Sequence, residues 1–303
     1  MPEGAPLPLE IWLVWLLFVL DAVAILVTYS RMPARELYHV SHSGLAGGLS
    51  RVLVFSNYST ALVAIAVLAV VADRRAEAVV ALVGVVLCAG VFWPGVVDQA
   101  NLDAKPANAL AGVGVLIALV LSLLRVGRPR WAEGQSGDRA RVVVAAAAIA
   151  FGLPWIAAEL GFFLDGVPLL GWLFETGKHL PTTAAPPAVH HGHHHGMDGV
   201  LLLVSAVLIS RVAPSVRRGW LRSALGAYLA LMACYGTANL ANDFWGEQVW
   251  KRGWTSWRIP GVLRPSLSVA WGVIVLGTVA LYALAVWWNG RRVEAAPASA
   301  QTQ

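Results

Sequence analysis

Leu9-Glu10-Ile11-Trp12-Leu13-Val14-Trp15-Leu16-Leu17-Phe18-Val19-Leu20-Asp21-Ala22-Val23-Ala24-Ile25-Leu26-Val27-Thr28-Tyr29 is an apolar run interrupted in its interior by a single charge, Asp21. A helix rises 1.5 Å per residue, so about 20 such residues cross the ~30 Å hydrocarbon layer of a bilayer. Seven more stretches have the same character, at about 52–72, 77–97, 108–125, 141–160, 198–213, 220–241 and 267–289. With the first run, taken as 8–29, they predict an all-α polytopic bundle of about eight transmembrane helices over residues 1–292. Residues 293–303 read as a disordered tail. The span at 198–213 is short and gains length only if its helix begins further upstream. The interrupted apolar stretch 161–175 reads as interfacial or re-entrant.

Composition agrees with this reading. The chain is 58% hydrophobic and 13% charged, and its mean hydropathy of +0.66 is far above that of soluble domains. The leader Met1-Pro2-Glu3-Gly4 carries no positive charge, and the apolar run after it is too long for the core of a signal peptide. Cys88 and Cys234 fall inside spans and read as small buried apolar residues.

Alternating the loops places 13 of the 22 Lys and Arg residues on the side of the N-terminus, among them Arg74, Arg75, Arg125, Arg130, Arg217 and Arg218. Basic residues in short loops mark the cytoplasmic face. Both termini are therefore expected in the cytoplasm, in a multi-pass protein of the cell membrane. The pI near 9.6 follows from these loops and implies no nucleic-acid partner.

A polar pattern lies on this topology. Asp21, Asn57, Ser59, Glu159, Asp198, Asn239 and Asp243 all fall in the outward halves of their spans. The inward halves read Val and Ala, as in Val142-Val143-Val144-Ala145-Ala146. A charge at membrane depth costs several kcal/mol unless it meets water or a partner. The shared depth predicts one outward polar chamber above an aliphatic plug. Asp21 is expected to find Asn57, Tyr58, Asn239 or a histidine there.

Five of the eight histidines crowd into His190-His191-Gly192-His193-His194-His195, just before Asp198. Continued as a helix, this segment turns ~100° per residue and brings His190, His191, His194, His195 and Asp198 to one side. Imidazole and carboxylate donors suit a transition metal, zinc first, with copper or iron as alternatives. His39 and His42, spaced three apart in an outward loop, form a second candidate metal pair. Glu159, Asp243 and Asp21 are the candidate catalytic carboxylates, as general bases near such a metal. The tryptophan-rich segment 244–258 reads first as an anchor at the membrane interface, and alternatively as a lid whose Lys251, Arg252 and Arg258 receive a lipid phosphate or other anion.

No nucleophile elbow, phosphate-cradling loop or nucleotide fold is present in the sequence. Two functions fit. One is metal-dependent chemistry on a membrane lipid or small apolar substrate. The other is metal capture, sensing or export without catalysis.

Overall fold

A computed structural model describes residues 5–33, 40–92, 102–175, 189, 195–263 and 265–295. The helices follow the apolar runs. α1 covers Leu9–Arg31, and α2 (Gly44–Arg51) passes through a π-helical turn at Val52–Ser56 into α3 (Asn57–Val71). Next come α4 (Arg75–Ala89), α5 (Pro106–Leu123), α6 (Asp138–Glu159) and the single turn α7 (Gly171–Phe174). α8 (His195–Val212), α9 (Gly219–Asp243), a π segment at Phe244–Trp250, and α10 (Val269–Ala295) complete the chain. There is no strand among the described residues.

Seven of these units are long and apolar enough to cross a membrane: α1, the continuous α2–α3, α5, α6, α8, α9 and α10. The expected span at 77–97 corresponds to α4, whose 15 residues gain a 3-10 turn at Gly90–Phe92. That sums to about 28 Å of rise, close to the hydrocarbon thickness. Residues 93–101 lie outside the described residues. The span expected to be short begins at His195 and runs through a 3-10 turn to Ser215, a length of 21 residues. α10 continues to Ala295, so residues 293–295 are helical where a disordered tail was expected. Stretch 161–175 is turn-rich around α7.

Local chemistry sets the helix ends. Pro106 occupies the first turn of α5, and Asn108 Oδ1 accepts from the Lys105 N–H at 2.8 Å. Gly137, at φ +90°, turns the chain into α6, where Asp138 Oδ2 accepts from the Gln135 N–H at 2.9 Å. Asp198 lies in the first turn of α8, where a negative charge complements the helix dipole.

Contacts at the helix ends show which ends lie together. Leu9 N–H donates to the Arg130 carbonyl at 2.9 Å, and Arg211 Nε lies 3.0 Å from Glu10 Oε1. Arg125 pairs with Asp73 at 3.2 Å and with Glu77, while Arg211 pairs with Asp138 at 3.2 Å. The start of α1, the α3–α4 and α5–α6 junctions and the end of α8 therefore share one end of the bundle, the arginine end. At the opposite, histidine end, Arg252 of the post-α9 segment donates to the Glu175 carbonyl at 3.1 Å.

The continuous α2–α3 unit is the axis: 89% of its membrane window is buried, against 6% for α10, which lies on the periphery against α9. α8 and α9 are the closest pair. The lipid-facing side carries exposed Leu16, Leu20 and Val23 on α1, Val142 and Phe151 on α6, and Leu276 on α10. Nothing is lost by exposing these side chains when the solvent is lipid.

Candidate functional site

Four carboxylates from four helices converge in the half of the bundle nearer the histidine end. They are Asp21 on α1, Glu159 at the end of α6, Asp198 on α8 and Asp243 at the end of α9, each at most 5% exposed. Asp198 is held by the hydroxyl of Ser59 on α3, and Asp21, Glu159 and Asp243 lie within Coulombic reach of it. Asp243 Oδ2 accepts from the Gly196 N–H at 2.5 Å, and its Oδ1 lies 3.7 Å from His195 Nδ1. The first turn of α8 is thus fastened to the end of α9 directly above Asp198.

The expected partners of Asp21 are committed elsewhere. Asn57 Nδ2 donates to the Asn108 carbonyl at 3.0 Å, tying α3 to α5. Asn239 Nδ2 donates to the Tyr235 carbonyl of its own helix at 2.8 Å. The Tyr58 and Tyr235 hydroxyls meet each other, and both lie within hydrogen-bonding distance of the Leu263 carbonyl. Asp21 instead faces the charge of Glu159. Its Oδ2, like Asp198 Oδ2, is buried without a hydrogen-bond partner among the described residues. Like charges repel strongly in a medium of low dielectric constant. Asp21 Oδ2 and Asp198 Oδ2 are thus the oxygens of the cluster that a proton, a water or a bound cation would serve.

Three groups that the sequence reading passed over complete the chamber wall. Arg51, fully buried, donates from Nη2 to Tyr29 Oη at 3.1 Å and stacks over the rings of Phe55 at 4.1 Å and Tyr29 at 4.6 Å. Glu247 accepts from Trp155 Nε1 at 2.6 Å and pairs with Lys251 at 3.1 Å. Thr28 Oγ1 donates to the Glu159 carbonyl at 2.9 Å and locks α1 to α6. Helical spacing was the available signal for Glu247, which follows Asp243 by four residues. It was lost because the chain was expected to leave the helix at 244.

That expectation is corrected at the start of the tryptophan segment: Phe244–Trp250 continues α9 as a π-helix. Each of its cations has a partner, and Arg258 is exposed. Lys251 pairs with Glu247, and Arg258 stacks on Trp250 at 3.8 Å. Arg252 stacks on Trp172 at 4.1 Å and donates to Gln248 Oε1 at 2.7 Å as well as to the Glu175 and Trp172 carbonyls. Burial holds the Arg252 pKa below the ordinary guanidinium value. The segment is a strap bolted onto 172–175. A groove of about 480 Å³ between 165–175 and Arg252 opens beside it.

Towards the arginine end the interior turns aliphatic. Val63, Ala64, Ala66, Val67, Leu68, Val70 and Val71 of α3 meet Leu201, Leu202, Ala206 and Ile209 of α8, all buried. No continuous polar path crosses this half among the described residues.

For the metal candidates, His195 and Asp198 are placed as above, and His42 sits at the surface beside Asp103. His39, His190, His191 and His194 lie outside the described residues. No group of three or more His, Cys, Asp or Glu with metal-holding geometry occurs among the described residues. The chain matches no protein-family model, no curated protein and no solved structure. Fold and composition therefore define its class: a multi-pass helical membrane protein.

Proposed function

We propose that this is a cell-membrane protein that takes up a transition-metal ion, zinc first, from the histidine end into a closed acidic chamber and retains it there. The observation that carries this reading is the link from His195 through Asp243 to the buried Asp198. The histidine tract enters α8 at His195, one turn above the buried Asp198, whose Oδ2 has no hydrogen-bond partner among the described residues. Imidazoles would make the first capture and carboxylate oxygens would complete the coordination. The aliphatic packing of α3 against α8 supports retention over passage, because an ion route needs polar groups through the whole thickness.

A second reading is metal-assisted chemistry on a lipid or small apolar substrate. Asp21 Oδ2 and Asp198 Oδ2 lack donors, which favours a proton-accepting role near a metal-bound water. Glu159 and Asp243 stand on the same chamber as further bases.

Elemental analysis of the purified full chain tests the proposal. Near one zinc per chain is expected, falling to background in the triple variant H191A/H194A/H195A and at least tenfold weaker in Asp198→Asn. A folded protein that takes up no zinc, copper or iron overturns it. Metal lost only with His39 and His42 replaced moves the site to the first loop.

A further inference from the structure

α4 and α9 both flank α3 in the half of the bundle nearer the arginine end, and the space between them is a recess of about 330 Å³. Ala69 of α3, Ala81 and Val85 of α4, and Leu221 and Ala224 of α9 line it, with Tyr228 at its deep end. The Tyr228 hydroxyl is spent on the Leu62 carbonyl, so the recess meets an aromatic face there. Arg218 and exposed Trp220 stand at the mouth. Tyr228 lies ten residues beyond Arg218 along the chain, most of them in α9, a rise of about 15 Å. That is half the ~30 Å hydrocarbon layer, the depth of one leaflet.

Size and charge select the occupant. One turn of a partner helix, ~10 Å across with 5.4 Å pitch, fills about 420 Å³ and exceeds the recess. The ~15 Å stretch of a single extended hydrocarbon chain that reaches from Arg218 to Tyr228 does not. Arg217, Arg222 and Arg75 are exposed at the same end as Arg218. The nearby acids Asp73 and Glu77 are committed to Arg125, which leaves the rim positive. Trp220 has the interfacial position that suits an amphipathic ring.

We propose that this recess holds one acyl chain of an anionic glycerophospholipid from the leaflet at the arginine end, with the lipid phosphate at Arg218. Full-length protein is equilibrated in detergent with equal dioleoyl phosphatidylglycerol and dioleoyl phosphatidylcholine, and the retained lipid is read by native mass spectrometry. Wild type should retain the glycerol lipid several-fold over the choline lipid. Arg218→Gln should remove that preference, Ala224→Phe should remove retention of both lipids, and Arg139→Gln, exposed elsewhere on the same end, should change neither. Equal retention of both lipids by wild type overturns the proposal, as does undiminished retention by Ala224→Phe. A changed oligomeric state in Ala224→Phe with lipid retention intact assigns the recess to a second copy and also overturns it. If Ala224→Phe does not fold, quenching of Trp220 by brominated lipids, taken as the difference between wild type and Trp220→Phe, decides the matter. Stronger quenching by the glycerol lipid supports the proposal, and equal quenching overturns it.

Discussion

Single hydrogen bonds set the character of the chamber. Ser59 is the donor that holds Asp198, and neither residue is more than 2% exposed. Ser59→Ala leaves a buried acceptor without its partner, which costs about 1–3 kcal/mol. Thermal unfolding in detergent should show that loss, and an unchanged midpoint would mean that water replaces the hydroxyl. A second residue-scale test lies outside the membrane. Burial raises the Asp103 pKa, but hydrogen bonds from Ser41 Oγ and from the Ser41 N–H at 2.9 Å, with the charge of His42, lower it further, for a net depression. A depressed carboxylate stabilises the fold above the unfolded value of about 3.9 and loses that contribution as pH falls through its own lower pKa. Ser41→Ala should therefore move the acid loosening of the 102–105 turn to higher pH. Hydrogen exchange of those amides measured against pH checks the direction.

At the scale of elements, two close approaches and two π segments do the positioning. A Cβ on Gly199 would stand 2.6 Å from the Gly236 carbonyl, and one on Gly236 would stand 2.8 Å from the Gly199 carbonyl. α8 and α9 touch backbone to backbone at this point, which brings Asp198 and Asp243 to one chamber. Gly199→Ala should cost about 1–3 kcal/mol through overpacking and weaken metal retention with it. Gly246→Ala, where the space is open, should cost nothing. Paired unfolding curves separate the two, and equal shifts would remove the close-packing argument. The π segment at Val52–Ser56 adds a residue to the turn ahead of Ser59, and the one at Phe244–Trp250 carries Glu247 onto Trp155. Such segments recur at functional sites because they re-aim the side chains that follow.

For the whole molecule, the start of α1, the α3–α4 and α5–α6 junctions and the end of α8 lie together at the arginine end. With basic loops retained inside, single cysteines placed at Arg130 and Arg217 should resist an impermeant thiol reagent in intact cells. A cysteine at Trp254 should label. Replacing Cys88 and Cys234 by alanine provides the background, since both pack against glycines, Gly114 and Gly277. Labelling at Arg130 with protection at Trp254 would invert the orientation and put the chamber on the cytoplasmic side.

Membrane class, the positions of the spans and the segregation of polar from aliphatic halves were legible in the sequence. Transfer into hydrocarbon is summed residue by residue along the chain, so the runs around Leu16, Val67 and Leu203 declare themselves without any knowledge of their neighbours. The depth of Asp21, Glu159, Asp198 and Asp243 was legible for the same reason. Which groups meet was not, because pairing depends on helix rotation and on which helices are adjacent, and the steric contacts that set both come from distant parts of the chain. Ser59 reaches Asp198 across 139 positions and Trp155 reaches Glu247 across 92. Glu10 illustrates the same limit: it reads as an ordinary helix-start acid, yet it is fully buried and is held by the Ala132 N–H and Arg211. Local hydropathy determined that this chain enters a membrane and where its polar groups sit in depth. Only the packing of α8 against α9 and α3 decided which of those groups touch, Ser59 on Asp198 and the Gly196 N–H on Asp243.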